Sequence, residues 1–362
     1  MATHLATVQT AKGQPFEIQS RPTPKPGPNE LLVAVKSVAF NPADVIMRNT
    51  GLFIAEFPTV IGFDMAGVVL QVGDNVPTDA CFQQGTCAVA YSASAWRSCA
   101  PDYGIFQEKC LVPWQHAVAL PDDSMSWNDA ATLPVSVQVP LSAWDKMGIP
   151  RMGEFNASWE KAVAKNQVLV IWGASSSVGT MGVQSARVMC QDPESPFAAV
   201  YATAGSANHE YILSLGADRV FDYKDPGVVD AMVSAAQNDG LTIRHCFLAM
   251  GDLPSCQAAL KPFCKDGELK GKVVSAPPLP ENIESVEGVD VMFVMPSMVE
   301  EERLEQFRYW MGTWLGKNLA KGFIKPSPEP KVVGRGLECI NEAMNKMAEG
   351  VSCAKLVVEI SQ

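Results

Sequence analysis

Short runs of alternating hydrophobic and polar residues fill the first third of the chain, with glycine and proline between the runs. An alternation of period two is typical of β-strands that bury one face. It predicts strands at residues 31–39, 66–72, 86–91 and 109–112. Many short strands separated by turn residues predict a small, β-barrel-like domain.

After Trp127 the pattern changes, and short apolar runs alternate with longer amphipathic stretches. Helices are expected at 128–133 and 141–147, and a polar insert follows at 150–165. Beyond the insert we predict strands at 168–172, 198–204, 219–222 and 243–249, and helices at 178–189, 209–215 and 228–237. Strict alternation predicts a parallel sheet with helices on both faces, and it favours a doubly wound nucleotide-binding domain.

The last part of the chain has a third pattern. Residues 300–321 predict a long helix, 336–348 a second helix and 355–360 a final strand. The apolar stripe of the long helix consists of Phe307, Trp310, Met311, Trp314 and Leu315. We expect the final strand to pair with the β-rich N-terminal part.

Composition and charge narrow the classes of function. The 362 residues are enough for two domains that each bury a core. A net charge of −11 leaves no basic surplus to bind phosphate backbones, so we expect no nucleic-acid partner. No apolar run approaches the roughly 20 residues of a membrane span, and the first residues lack the apolar core of a secretory signal. We therefore expect no membrane partner and a cytoplasmic location.

The cysteines offer a possible metal site. Ten cysteines are scattered along the chain, which favours free thiols over disulfides. Cys81, Cys87, Cys99 and Cys110 lie within one stretch, but their gaps of 6, 12 and 11 residues do not match the short paired spacings of structural zinc sites. No metal is predicted.

The stretch VLVIWGASSSVG, residues 168–179, has the outline of a phosphate-binding turn between a strand and a helix. A pyrophosphate needs backbone N–H groups and a helix N-terminus without side chains in the way. Gly173, Gly179 and Gly182 permit close approach, and serine hydroxyls can themselves donate to phosphate. The predicted nucleotide contacts are Gly173, Ser175, Ser176, Ser177, Val178 and Gly179.

The segment after the next strand indicates which dinucleotide binds. A carboxylate there would bind the ribose hydroxyls of NAD and repel a 2′-phosphate, and this chain instead has Thr203-Ala204-Gly205-Ser206. Ser206 and Asn208 can donate to a phosphate, so NADP(H) is the predicted cofactor. No lysine or arginine lies in 206–211, and Asn208 has the alternative role of capping the following helix.

Seven segments, in this order, carry a family resemblance: SVAFNPADVIMR (37–48), PTVIGFDMAGVV (58–69), GIFQEKCLV (104–112), AATLPVS (130–136), VLVIWGASSSVG (168–179), LGADRVFDY (215–223) and VSCAKLVVEI (351–360). The chain resembles the medium-chain dehydrogenase/reductase superfamily, and within it the zinc-independent quinone oxidoreductase and enoyl reductase branch. The serine-rich loop resembles the fungal members, which include trans-acting enoyl reductases that work with polyketide synthases.

The resemblance implies an α/β fold of two domains. One is a GroES-like, β-rich catalytic domain at residues 1–135, completed by 298–362, and the other is a Rossmann domain at 136–297. It also implies an NADPH-dependent oxidoreductase that reduces an activated C=C bond of an enone, enoyl substrate or quinone in fungal secondary metabolism. Tyr223, Lys355 and Val139 are assigned as further cofactor contacts on the same grounds.

The resemblance also locates the catalytic residues. Zinc-dependent relatives hold their metal with a cysteine, a histidine and a further ligand, and here Asn41 and Phe63 occupy the first two positions, which leaves Asp64 alone. Asn41 is the candidate polar group of the active site. Asp44 either orients Asn41 or caps a helix, and Arg48 either contacts the substrate or forms a salt bridge.

Two departures from the family pattern concern the chemistry. A lysine common among fungal members is replaced by Ile46, and a threonine that contacts nicotinamide is replaced by Val139. Phe63, Gln138, Met250 and Met295 are expected to line an apolar substrate cleft with Asn41 and Val139, which suits a polyketide-like substrate. The departures leave two alternatives open: a redox-neutral biosynthetic enzyme such as an isomerase, cyclase or dehydratase, and a non-catalytic NADP-binding protein.

Overall fold

The computed structural model describes residues 2–121, 124–151, 153–154, 165–264 and 270–360, so most of the predicted polar insert lies outside the described residues. The chain divides into two compact units, Met1–Val135 with Ser297–Gln362 and Ser136–Pro296. The strands are β1 Thr3–Gln9, β2 Phe16–Pro22, β3 Glu30–Ala39, β4 Asp64–Val72, β5 Cys87–Tyr91, β6 Lys109–Pro113, β7 Ala117–Ala119, β8 Gln167–Trp172, β9 Phe197–Ala204, β10 Arg219–Asp222, β11 Thr242–Leu248, β12 Gly271–Ser275, β13 Val289–Phe293, β14 Pro330–Arg335 and β15 Lys355–Glu359. The α-helices are α1 Pro42–Thr50, α2 Trp127–Ala131, α3 Leu133–Met147, α4 Ser177–Cys190, α5 His209–Ser214, α6 Val228–Asn238, α7 Leu253–Leu260, α8 Glu300–Phe307, α9 Gly316–Ala320 and α10 Ile340–Glu349.

The first unit is built on a seven-stranded sheet. Its strand order is β14-β15-β3-β4-β5-β7, and β6 also pairs with β3. The apolar residues of β3 are buried on the sheet, with Leu31, Val33, Val35 and Val38 fully inaccessible. The final strand β15 pairs antiparallel with β3, with Val357 opposite Ala39, which confirms the expected pairing. The hairpin of β1 and β2 was not predicted from the sequence.

The predicted long helix of the tail is helical throughout but not uniform. It consists of α8, a π-helical stretch at Arg308–Leu315 and α9. A π-helix is rare and changes the direction in which side chains point. The predicted apolar stripe is nevertheless buried, since Phe307, Trp310, Met311 and Leu315 are inaccessible and Trp314 is nearly so.

The second unit contains the predicted parallel sheet, in the order β10-β9-β8-β11-β12-β13. The unit confirms the doubly wound architecture, although β12, β13 and α7 were not predicted. The predicted start of a helix at Leu141 was wrong, because α3 continues through Pro140. Val137, Leu141 and Trp144 recur at helical spacing and are buried, so packing holds this helix together despite the lost N–H donor of the proline.

The helices of the second unit cover both faces of its sheet. Trp144 of α3 donates from Nε1 to Ser185 Oγ of α4 at 3.1 Å, and Gly182 of α4 lies against Ile171 of β8, so α3 and α4 share one face. Met232 of α6 and Cys256 of α7 pack in the core of the other face. The direction of the connections therefore reverses between β8 and β11, and ligands of doubly wound sheets bind at such a switch point.

Candidate functional site

The turn after β8 lies at this switch point. Gly173 has φ of 79°, its N–H donates to Thr203 Oγ1 at 2.9 Å, and the N–H of Ala174 donates to the carbonyl of Thr203 at 2.8 Å. A Cβ on Gly173 would collide with the carbonyl oxygen of Met250. Two features therefore require glycine at position 173: the left-handed backbone conformation and the close approach of the Met250 backbone.

Ser176 shapes the start of α4. Its hydroxyl accepts a hydrogen bond from the N–H of Gly179 at 3.1 Å, as an N-cap does, and donates to the carbonyl of Gly173 at 2.9 Å. The side chain is thus engaged within the turn, and its predicted contact with a pyrophosphate stays a prediction. The half-buried Ser175, Ser177 and Val178 lie around this helix start, where backbone N–H groups and the helix dipole favour an anion. Their contacts with a pyrophosphate stay a prediction.

The predicted ribose segment follows β9. Ser206 is exposed, and Asn208 is half-buried at the end of a single 3₁₀ turn. Asn208 occupies the N-cap position of α5, but its side chain makes no capping hydrogen bond there. Among the described residues, the alternative role of Asn208 as a helix cap therefore has no hydrogen bond to support it.

Neighbouring strand β10 brings further residues to the same edge of the sheet. Asp222 accepts a hydrogen bond from the N–H of Ser206 at 3.3 Å and one from the N–H of Lys224 at 2.9 Å. The Tyr223 ring lies beside Gly205 and is half-exposed, and the Lys224 ammonium is 5.9 Å from its centroid. The hydrogen bond from the backbone N–H of Lys224 holds the pKa of Asp222 below its usual range, so the carboxyl is ionised at neutral pH.

Sequence reasoning missed Lys224 and Asp222. The sequence prediction considered cations only at 206–211, directly after β9, whereas Asp222 ends β10 and Lys224 lies two residues beyond it. The signal was available, because the carboxyl ends of parallel strands meet at one edge of a sheet.

The remaining residues of the second unit that the sequence predicts to contact cofactor or substrate differ in exposure. Met250 is 52% exposed, and its N–H donates to the Trp172 carbonyl at 3.3 Å, which places it beside the Gly173 turn. Val139 and Met295 are half-buried. Gln138 is only 3% exposed, so most of its side chain is covered by protein.

In the first unit a buried polar cluster surrounds Asn41. Asn41 follows β3, Asp44 lies in the first turn of α1, Asp64 begins β4 and Lys355 begins β15. The Lys355 ammonium lies 2.8 Å from Asp64 Oδ2 and donates to Asn41 Oδ1 at 2.6 Å. The Asn41 amide donates from Nδ2 to Asp64 Oδ2 at 2.9 Å. We call these four residues the Asn41 cluster.

The cluster changes the roles assigned to its members. Asn41 is 2% exposed, and both the oxygen and the nitrogen of its side-chain amide are hydrogen-bonded within the cluster. The structure therefore supports a role for Asn41 in holding the cluster together, and its predicted direct action on a substrate stays a prediction. Asp44 Oδ2 accepts the N–H of Asn41 at 2.7 Å, so Asp44 orients Asn41 and caps α1 at once. Lys355 is 2% exposed and bonded to Asn41 and Asp64, so its predicted contact with a cofactor also stays a prediction.

The other candidates of the first unit lie on α1 and β4. The Arg48 guanidinium donates to Asn49 Oδ1 and to Asn345 Oδ1, each at 3.0 Å, and no carboxylate within the described ranges pairs with it. Arg48 thus has amide partners in place of one of its two alternatives, the salt bridge, and the other alternative, a contact with the substrate, stays a prediction. Ile46 is 36% exposed, whereas Phe63 is buried with its ring 5.6 Å from that of Tyr91.

The positions that hold zinc in some relatives do not fit a metal here. Asn41 and Phe63 supply no thiolate or imidazole, and Asp64 is paired with an ammonium. No three His, Cys, Asp or Glu side chains of the described part of the chain are grouped so that they could hold an ion. The ten cysteines are free thiols, and Cys99 and Cys110 are buried, whereas Cys81 is exposed.

Comparisons with known proteins show which family the chain is similar to. The model of the alcohol dehydrogenase GroES-like domain matches residues 27–122. The trans-enoyl reductase tndF of Aspergillus flavipes is 36% identical over 360 residues, which are 99% of each chain. The trans-enoyl reductase tazE of Aspergillus terreus is 37% identical over 305 residues, 83% of this chain and 95% of that one.

Solved structures share the fold. The crystal structure of an alcohol dehydrogenase superfamily protein from Novosphingobium aromaticivorans matches with a TM-score of 0.76 and 19% identity, over 99% of this chain and 100% of that chain. Separately, none of the helices among the described residues has the length and apolar character needed to cross a membrane.

Proposed function

This chain belongs to the medium-chain dehydrogenase/reductase superfamily, and from that premise we propose that it is a trans-acting, NADPH-dependent enoyl reductase of fungal secondary metabolism. Its substrate would be a polyketide-like α,β-unsaturated carbonyl compound. The observation that carries the proposal is the similarity over nearly the full length of both chains to a trans-enoyl reductase.

The second unit supports binding of a nicotinamide dinucleotide, which the family implies. The turn at Gly173 and the N-terminus of α4 would hold the pyrophosphate. A preference for NADPH is supported by the Ser206 hydroxyl, Tyr223 and the Lys224 ammonium at the next strand ends. The ionised Asp222 opposes a phosphate, and the nearby ammonium of Lys224 offsets it.

The chain's own residues would orient the reactants and exclude water. When bound, the reduced nicotinamide supplies the hydride added to the β-carbon of the substrate, and a proton from solvent completes the product at the α-carbon. Met250 offers an exposed apolar surface beside the turn, which suits an apolar substrate. The partly exposed Ile46 provides no ammonium, so side-chain polarisation from that position is absent.

The partner and compartment are part of the proposal. A trans-acting reductase receives its substrate from a separate synthase, and a polyketide synthase is the partner we propose because two relatives are named trans-enoyl reductases. A cytoplasmic location is supported by the ten free thiols, since reducing compartments keep cysteines unpaired.

The experiment uses purified protein, NADPH and an α,β-unsaturated thioester such as an enoyl N-acetylcysteamine, with a saturated thioester as control. Consumption of NADPH together with formation of the saturated product supports the proposal. Tight NADPH binding with no consumption across a panel of enoyl thioesters, enones and quinones would contradict it. Conversion of a substrate without NADPH would instead indicate redox-neutral chemistry.

A further inference from the structure

The Asn41 cluster contains more negative than positive charge. Asp44, Asp64 and Lys355 are 0%, 0% and 2% exposed, and full ionisation of all three would leave one uncompensated negative charge in the interior. An unpaired buried charge is expensive, so such a group holds a proton instead. Among the described residues, the other titratable group that faces the cluster is Tyr91 of β5, and burial together with Asp64 and Asp44 raises its pKa, which keeps the phenol neutral.

The hydrogen bonds show which carboxyl holds the proton. Asp64 receives donors on both oxygens: Lys355 and the Asn41 amide on Oδ2, and the N–H of Val135 on Oδ1 at 2.6 Å. Asp44 receives the N–H of Asn41 at 2.7 Å and the Asn41 side-chain amide at 3.4 Å, both on Oδ2, whereas its buried Oδ1 has no hydrogen-bond partner among the described residues. Burial raises the pKa of Asp64, but its three donors oppose that rise. The charge thus belongs on Asp64, and the proton belongs on Asp44 Oδ1.

The cluster also connects elements that are distant along the chain. Asp44 fixes the start of α1, Lys355 fixes the start of β15, and Asp64 accepts an N–H from the first turn of α3, whose positive dipole end favours a carboxylate. We propose that the Asn41 cluster is a buried proton site, in which Asp44 keeps one proton in the folded protein and releases it as the pH rises through neutrality, at the expense of the stability of these elements.

The direction of the pH effect follows from the protonation states. Burial, reinforced by Asp64, raises the pKa of Asp44 to about 7, against 3.8 for an ordinary aspartate. The folded chain therefore binds more protons than the unfolded chain between these values, and stability falls as the pH rises from about 4 to 7. Above that range the loss is complete and the Asp44 contribution no longer changes with pH.

Asp44→Asn tests the site, because asparagine imitates the protonated carboxyl and cannot lose the proton. Thermal unfolding of full-length wild type and Asp44→Asn is compared from pH 5 to pH 8. We expect the difference in Tm, variant minus wild type, to move in favour of the variant as the pH rises. The exposed Asp74→Asn serves as control and is expected to give a difference that is constant with pH. A constant difference for Asp44→Asn would overturn the proposal.

A second measurement needs no variant. Infrared spectroscopy of wild type should detect a buried protonated carboxyl at pH 5 that disappears by pH 8, and its absence at pH 5 would equally overturn the proposal. Neither readout requires turnover. Failure to reduce any enoyl substrate would therefore count against the proposed function alone, while the proton site is decided by unfolding and infrared data.

Discussion

The phosphate turn of the second unit (the turn after β8 around Gly173) and the Asn41 cluster of the first unit are both polar. They differ in whether their hydrogen-bonding groups are available to a ligand. The turn consists of backbone and one capping hydroxyl, and it gathers N–H groups at a helix start that a ligand can use. The cluster consists of four buried side chains that bond to one another and to the backbone N–H groups of Asn41 and Val135, and one oxygen of Asp44 has no partner among the described residues. The difference teaches that a turn built from backbone at a helix start leaves N–H groups available to a ligand, whereas buried side chains bonded to one another and to the backbone connect elements of the fold.

The substitution with the largest expected effect disrupts the Asn41 cluster. Lys355→Met removes the single ammonium and leaves two carboxylates buried, so the free energy of unfolding at pH 8 should fall by about 3–5 kcal/mol. Chemical denaturation measures it. Lys346→Met is the control, since Lys346 is half-exposed and forms only an i,i+4 pair with Glu342, worth about 0.3–0.5 kcal/mol. Equal effects of the two variants would contradict the interpretation of the cluster as a buried ion pair.

The substitution with the next largest expected effect disrupts the phosphate turn. Gly173→Ala places a Cβ against the Met250 carbonyl in a left-handed conformation, so we expect a loss of about 1–3 kcal/mol of stability and at least about tenfold weaker NADPH binding. Gly240→Ala is the matched control, because Gly240 has φ of 70° but no atom within 4 Å of an added Cβ. Calorimetric titration should show unchanged NADPH affinity for that control. Weakened binding in both variants would show that strain alone, not the turn, is responsible.

A smaller effect sharpens the role of the serine that caps α4. Ser176→Ala should lower the free energy of unfolding by about 1 kcal/mol, since the N–H of Gly179 loses its acceptor. Ser214→Ala, near the end of α5, is the control and should have a smaller effect, because its hydroxyl only donates to a carbonyl. Denaturation curves at one pH compare them. A loss of NADPH binding in Ser176→Ala without a change in stability would instead indicate direct phosphate contact.

The smallest effect concerns the choice of dinucleotide. Lys224→Gln removes the ammonium beside Tyr223, and we expect NADPH to bind several-fold more weakly, on the order of 1 kcal/mol, with NADH affinity unchanged. Lys270→Gln, an exposed lysine of the same unit paired with Asp290, should alter neither affinity. Equal weakening of NADPH and NADH in Lys224→Gln would remove Lys224 from the proposed phosphate subsite.

The same contrast explains what the sequence could predict. The turn at Gly173 was predictable because glycines, a serine cap and the flanking strand and helix are adjacent along the chain. The full Asn41 cluster was not, because Asp64 and Lys355 reach Asn41 only through sheet pairing, and Lys355 lies 314 positions after Asn41. Lys224 was missed for the same reason, and the passage of α3 through Pro140 depends on packing that local propensity does not contain.

The pairing of β15 with β3 has a consequence for how the protein is made. A ribosome releases the chain from its N-terminus, and domains generally fold as units during synthesis. The second unit is one continuous segment and can fold while translation proceeds. The first unit cannot complete the contacts of β3 and Asn41 until Lys355 has been synthesised. The N-terminal part of the first unit is thus synthesised first, but its sheet is completed last.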